Sequence, residues 1–215
     1  DSSVALRYTV PPMQPPLHIV YGTPPRALAP VPADACHTSP YIPGSLALEA
    51  CAEHRAASAT LYAPPGTRER RYTLALMLRT LREGAPLTAL APKDKGGSRI
   101  ANELCRMGCT VHEASRQHHR IVTTSRPVQL TDIAPALAEG GVQQHPSHGL
   151  WTQPGVFSWD RLDVGSALLL AHLPALHGTG ADLGCGLGVL SRAVLTSPAV
   201  TSLLLVDIDR RAVEA

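Results

Sequence analysis

The sequence predicts an α/β protein in which a small N-terminal α/β domain is followed by the opening of a Rossmann-like domain. Three observations carry this prediction. Apolar runs of strand length alternate with helical patterns from Ala59 to Met107, which implies a sheet covered by helices. Glycines fall at every second position in Gly184-Cys185-Gly186-Leu187-Gly188, between an apolar strand and an apolar helix. The following strand ends on Asp207, nineteen residues beyond Gly188, and strand, glycine turn, helix, strand and acid in that order open a nucleotide-binding βαβ unit.

Each element has its own justification. Residues 1–58 hold ten of the twenty prolines, in pairs such as Pro11-Pro12, Pro15-Pro16 and Pro24-Pro25. Proline fixes φ and lacks a donor, so only short elements are expected there: a strand at His18 to Tyr21 and an Ala/Leu/Glu-rich helix at Ser45 to Ala57. Ala59 to Ala63 reads as a strand ended by Pro64-Pro65-Gly66. Thr67 to Glu83 reads as an amphipathic helix through Leu74, Leu78 and Leu81, stopped by Gly84 and Pro86. A strand at Leu87 to Ala91 and a helix at Ser98 to Met107, capped by Ser98 and stopped by Gly108, complete a pattern that implies a parallel sheet. Thr110 to Glu113 and His119 to Thr124 are further short strands. Residues 1–140 are assigned to the first domain, 141–153 to a linker and 154–215 to the second domain. The second opens with a helix at Asp163 to Leu176, a strand at Gly180 to Leu183, a helix at Val189 to Leu195 and a strand at Ser202 to Val206.

A hydrophobic fraction of 44% and a mean hydropathy of +0.02 suit a packed core, and no apolar run reaches the roughly 18 residues of a membrane span. Five scattered cysteines, an odd number, predict a reducing, cytoplasmic setting, and the N-terminal residues show no secretory pattern. The net charge of +2 hides an asymmetry. Residues 59–127 carry 12 basic against 5 acidic side chains, whereas residues 128–215 carry 4 against 8. A basic segment of this kind suits a polyanion, and the alternative is a solvated helical face.

The glycine loop is where the chemistry is concentrated. Glycine allows positive φ and a close backbone approach, while a helix starting near Val189 offers unpaired N–H groups. Asp207, at the carboxyl edge of the sheet, can accept both hydroxyls of a ribose. A dinucleotide fingerprint needs its third glycine at position 189, where Val189 stands; the third glycine is Gly188. An acid at Asp182 would repel a pyrophosphate but can orient a loop around an amino acid and a sulfonium. The pattern therefore favours S-adenosylmethionine over a nicotinamide dinucleotide.

Pro154-Gly155-Val156-Phe157-Ser158, Arg161-Leu162-Asp163-Val164-Gly165-Ser166, the glycine loop and Leu205-Val206-Asp207 together resemble the two-domain ribosomal RNA small-subunit guanine-N2 methyltransferases. The likeness is close over residues 154–215 and looser over 59–127, where the Lys95-Gly96-Gly97-Ser98-Arg99 turn is similar to the family's N-terminal domain. The resemblance implies a class I methyltransferase domain preceded by a degenerate methyltransferase-like domain that helps hold RNA. It implies that Asp182, Gly184, Gly186 and Gly188 shape the cofactor loop, that Asp207 binds the ribose, that Cys185 and Ile208 belong to the same cofactor-binding set, and that Phe157 and Asp163 line or brace the pocket. Phe157 as a core anchor and Asp163 as a helix N-cap are the plainer alternatives. RNA contacts are expected from Arg68, Arg70, Arg71, Lys93, Lys95, Arg99, Arg116 and Arg120, with Arg126 in the same basic set.

Family members carry an Asn-Pro-Pro-aromatic motif that holds the target amine, and this sequence has none; its only asparagine is Asn102. The expectation is a fragment that contains no catalytic residue and is inactive by itself, acting as a monomer toward ribosomal RNA or the small ribosomal subunit, with no membrane role. The alternative function is a non-catalytic RNA-binding module. Cys105, Cys109, His112, His118 and His119 fit no tight metal-ligand spacing, so no metal is expected. Cys185 has no base near it in the sequence to make it a nucleophile.

Overall fold

The computed structural model describes residues 17–145, 147 and 149–214; the Pro11-Pro12 and Pro15-Pro16 pairs lie outside them. Strands β1 (His18–Tyr21), β2 (Cys36–His37), β3 (Ser58–Tyr62), β4 (Pro86–Pro92), β5 (Val111–Arg116) and β6 (His119–Ser125) form one sheet in the order β2-β1-β3-β4-β6-β5. Helices α1 (Thr67–Thr80), α2 (Ile100–Arg106) and α3 (Ile133–Gly140) accompany it. The α/β expectation is borne out, with one correction. The first four strands are parallel, but β6 runs antiparallel to β4 and β5 antiparallel to β6. Only Gln117 and His118 separate β5 from β6, both at positive φ. Two such residues close a hairpin, whereas a parallel crossover needs a dozen or more.

Two local expectations also change. Ser45 to Ala57 forms only one 3-10 turn, at Leu48–Ala50; a short segment following Pro43 and Gly44 cannot offset the cost of helix nucleation. Ser98 does not cap α2, because Gly97–Arg99 is a separate 3-10 turn and the Ser98 hydroxyl donates to the Lys93 carbonyl at 3.0 Å. The core of this half joins Ile19 and Leu61 of the sheet to Leu74, Met77, Leu78 and Leu81 around α1, with Leu87 and Leu104, all fully buried. Each such aliphatic side chain contributes about 1.5–3 kcal/mol on burial.

The stretch read as a linker carries a two-stranded hairpin, β7 (Gln143–Gln144) against β8 (Trp151–Thr152). Beyond it come α4 (Val164–His172), β9 (Gly178–Leu183), α5 (Val189–Val194), β10 (Val200–Val206) and α6 (Arg210–Glu214). Strands β9 and β10 pair in parallel across the glycine-loop crossover. Among the described residues this sheet has two strands, and it leaves Leu183 77% and Leu204 62% exposed. Among the described residues, no helix is long and apolar enough to cross a membrane.

Candidate functional site

The glycine loop joins the end of β9 to the start of α5, and its backbone takes the form the sequence requires. Gly184, Gly186 and Gly188 all have positive φ, at 83°, 51° and 74°. A Cβ on Gly186 would meet nothing within 4 Å, so the glycine serves the backbone conformation and the open space beside it rather than protein packing. The N–H groups of Gly184 and Cys185 both donate to the Val206 carbonyl, at 2.7 and 3.1 Å, which ties the loop to the end of β10.

The two acids flank this loop. Asp207 Oδ2 accepts the Gly186 N–H at 2.8 Å and Oδ1 accepts the Asp209 N–H at 2.8 Å. Each carboxylate oxygen retains a further lone pair for an incoming hydroxyl. Asp182 Oδ2 accepts the Ser191 hydroxyl at 2.5 Å, linking the end of β9 to α5. Ile208 follows Asp207 with 71% of its surface exposed. Cys185 is buried, and burial together with the Asp207 and Asp182 charges pushes its thiol above the ordinary value. A thiol held protonated in this way is a poor nucleophile.

The remaining predicted residues divide. Phe157 is 66% exposed, so it is no core anchor. Asp163 caps α4, its carboxylate accepting the Ser166 N–H at 2.9 Å. Of the basic set, Lys93 and Lys95 lie in the 3-10 turn after β4, Arg99 lies in the turn before α2, and Arg116 ends β5; all four are exposed. Register pairs His119 with both Pro92 and Arg116, and the Lys93 N–H donates to the His118 carbonyl at 3.0 Å, so β4 and the β5–β6 hairpin end together. Arg120 pairs with Glu113 at 3.3 Å and Arg71 with Glu139 at 3.2 Å, while Arg68 lies 5.2 Å from the centre of the Trp159 ring.

Arg70 must be withdrawn from the RNA-facing set. It is fully buried, donating from Nε and Nη2 to Glu103 at 2.7 and 2.8 Å and from Nη1 to the Pro65 carbonyl at 2.8 Å. A guanidinium committed to this pair is not presented to a phosphate. Arg126 is likewise buried, donating to the Leu78 carbonyl at 2.9 Å. Among the described residues, no cluster of three or more potential ligands could hold a metal. Sequence reasoning missed a cluster of Tyr41, Glu69, Asp209 and Arg211 beside the loop, and the close spacing of Asp207, Asp209 and Arg211 was the one signal it offered.

The methyltransferase small domain family matches residues 147–215. Ribosomal RNA small subunit methyltransferase C of Aeromonas hydrophila subsp. hydrophila is 31% identical over 163 residues, 72% of this chain and 46% of that protein. Its counterpart in Stutzerimonas stutzeri is 34% identical over 164 residues, 74% of this chain and 48% of that protein. The chain thus spans about half the length of these curated relatives. A solved 16S rRNA N2 methyltransferase of T. Thermophilus, in complex with AdoMet and guanosine, superposes with a TM-score of 0.66 at 18% identity, covering 96% of this chain and 62% of the other. The fold is that of a class I methyltransferase, and the match to the methyltransferase small domain family is confined to residues 147–215. The family it resembles is that of the ribosomal RNA small subunit methyltransferases, as the motifs imply.

Proposed function

We propose that this chain binds S-adenosylmethionine on the glycine loop and forms part of a methyltransferase acting on a guanine exocyclic amine of small-subunit ribosomal RNA. The observation that carries the reading is the pairing of an open, left-handed glycine turn with the Asp207 carboxylate. The residues fit the group: Gly184 and Gly186 leave room for a ligand against the backbone, Asp207 accepts ribose hydroxyls, and Asp182 holds α5 through Ser191. Phe157 and Ile208, both exposed, are proposed as apolar walls for an adenine. When bound, the cofactor supplies an electrophilic methyl group on a sulfonium.

Lys93, Lys95, Arg99 and Arg116 would take RNA phosphates at the end of the six-stranded sheet, with Arg68, Arg71 and Arg120 adding weaker contacts because each already has a partner. Methyl transfer to nitrogen depends on positioning, and with no Asn-Pro-Pro-aromatic motif in its sequence this chain is proposed to bind cofactor and RNA without turnover. It is proposed to act as a monomer in the cytoplasm, consistent with its five free cysteines. Calorimetric titration tests the reading. Saturable binding of S-adenosylmethionine is expected; tight binding of a nicotinamide dinucleotide in its place overturns the reading, and RNA binding with no response to either leaves the non-catalytic RNA-binding module.

A further inference from the structure

Immediately after β10 the chain is gripped from both sides. Asp207 accepts the Asp209 N–H, and the Asp209 carboxylate in turn accepts from Arg211, at 2.9 Å from Nε and 2.8 Å from Nη2. The same guanidinium donates to Glu69 Oε1 at 2.9 Å, to the Pro154 carbonyl at 3.4 Å and to the Tyr41 hydroxyl at 3.0 Å. The Arg211, Glu69 and Asp209 side chains are 9%, 7% and 7% exposed. Glu69 belongs to α1 of the six-stranded half. Its carboxyl occupies the space beside Gly155, where φ is 107° and a Cβ would come within 2.3 Å of Glu69 Cδ.

A buried arginine forked between two carboxylates has one good geometry, because losing the guanidinium leaves two carboxylates uncompensated away from water, and losing either carboxylate leaves guanidinium N–H groups without their acceptor. Burial pushes the Glu69 carboxyl up, and the Arg211 charge opposes that rise. The strand end that carries Asp207, the Pro154-Gly155 turn leading to Phe157, and helix α1 therefore converge on one guanidinium. We propose that Arg211 is a positioning residue for the cofactor: it fixes Asp207 through Asp209 and ties that carboxylate to α1 through Glu69. The proposal rests on the reading of Asp207 as the ribose-binding acid.

The test is S-adenosylmethionine affinity measured by calorimetry on the 215-residue chain, with thermal melts run in parallel. Arg211→Ala is expected to lower affinity about tenfold, comparable to losing one charge-assisted hydrogen bond. It is expected to add nothing in an Asp207→Ala background, a non-additivity that a purely structural role would not produce. Glu69→Gln keeps the side-chain shape, is expected to cost about threefold on the same scale, and decides the matter if Arg211→Ala does not fold. Binding that is weakened by Asp207→Ala but unchanged by Arg211→Ala and Glu69→Gln overturns this proposal alone. No binding by the unsubstituted chain overturns the cofactor reading and this proposal with it.

Discussion

The Gly186 N–H donates to the Asp207 carboxylate at 2.8 Å, so the acid that would receive the ribose also holds the middle of the glycine loop. Replacing Asp207 with alanine is expected to weaken S-adenosylmethionine by about 1–3 kcal/mol through lost charge-assisted hydrogen bonds. Calorimetry checks this, and an unchanged dissociation constant would mean that Asp207 is not the ribose acceptor.

Gly186→Val separates folding from ligand approach. The new side chain meets no protein atom at its Cβ, but φ of 51° is a left-handed conformation that a β-branched residue resists, costing about 1–2 kcal/mol. The melting temperature should therefore fall modestly while cofactor binding disappears. Retention of binding would place the ligand somewhere else.

The Arg70–Glu103 pair is structural. Glu103→Ala leaves the buried guanidinium uncompensated and is expected to cost about 3–5 kcal/mol in urea denaturation, because Arg70 is wholly enclosed. A loss below about 1 kcal/mol, the scale of a surface ion pair, would show that water reaches the pair.

RNA affinity should fall linearly with salt on a log–log plot, with a slope near −0.7 for each phosphate neutralised on a single strand. Replacing Lys95 and Arg99 together with alanine should flatten that slope by about 1–2 units and leave cofactor binding unchanged. Lines that stay parallel over three salt concentrations would move the RNA surface away from the end of β4.

His18 supplies a pH dependence. Its ring bridges the Ser58 hydroxyl at 2.7 Å and the Thr60 hydroxyl at 3.1 Å, and burial lowers its pKa below 6.5, against the opposing pull of Asp34. The folded chain resists the proton that the unfolded chain accepts. The stability contributed by neutral His18 is thus complete above about 6.5 and declines as pH falls through that value, levelling off below the depressed folded pKa. His18→Gln should reduce the difference between urea midpoints measured at pH about 7.5 and about 5.5. An unaltered difference would assign the acid sensitivity to other groups.

Much of the fold was legible because each signal was local. Proline and glycine stops bracket β3, α1 and β4, and alternate glycines in a strand-to-helix turn admit few readings. The antiparallel return of β6 was not legible, because two turn residues, Gln117 and His118, determine it and neither is glycine. The buried state of Arg70 was equally hidden: its partner Glu103 stands 33 positions away on another helix, and charge counts treat every arginine as a surface cation. The loop acids stand out in the sequence because Asp182 lies near the end of β9 and Asp207 directly follows β10, whereas Glu69 and Arg211 meet across 142 positions and leave no periodic trace.

The bare leucines of β9 and β10 bear on how this chain behaves at the bench. Leu183 and Leu204 lie on a ribbon that has two strands among the described residues, and the edge strand of a sheet is a template for another strand of the same kind. Concentration is therefore the variable to control in every titration above. Light scattering recorded alongside each binding isotherm separates ligand uptake from strand-to-strand assembly, and a ligand that tightens the β9–β10 crossover should delay the onset of scatter.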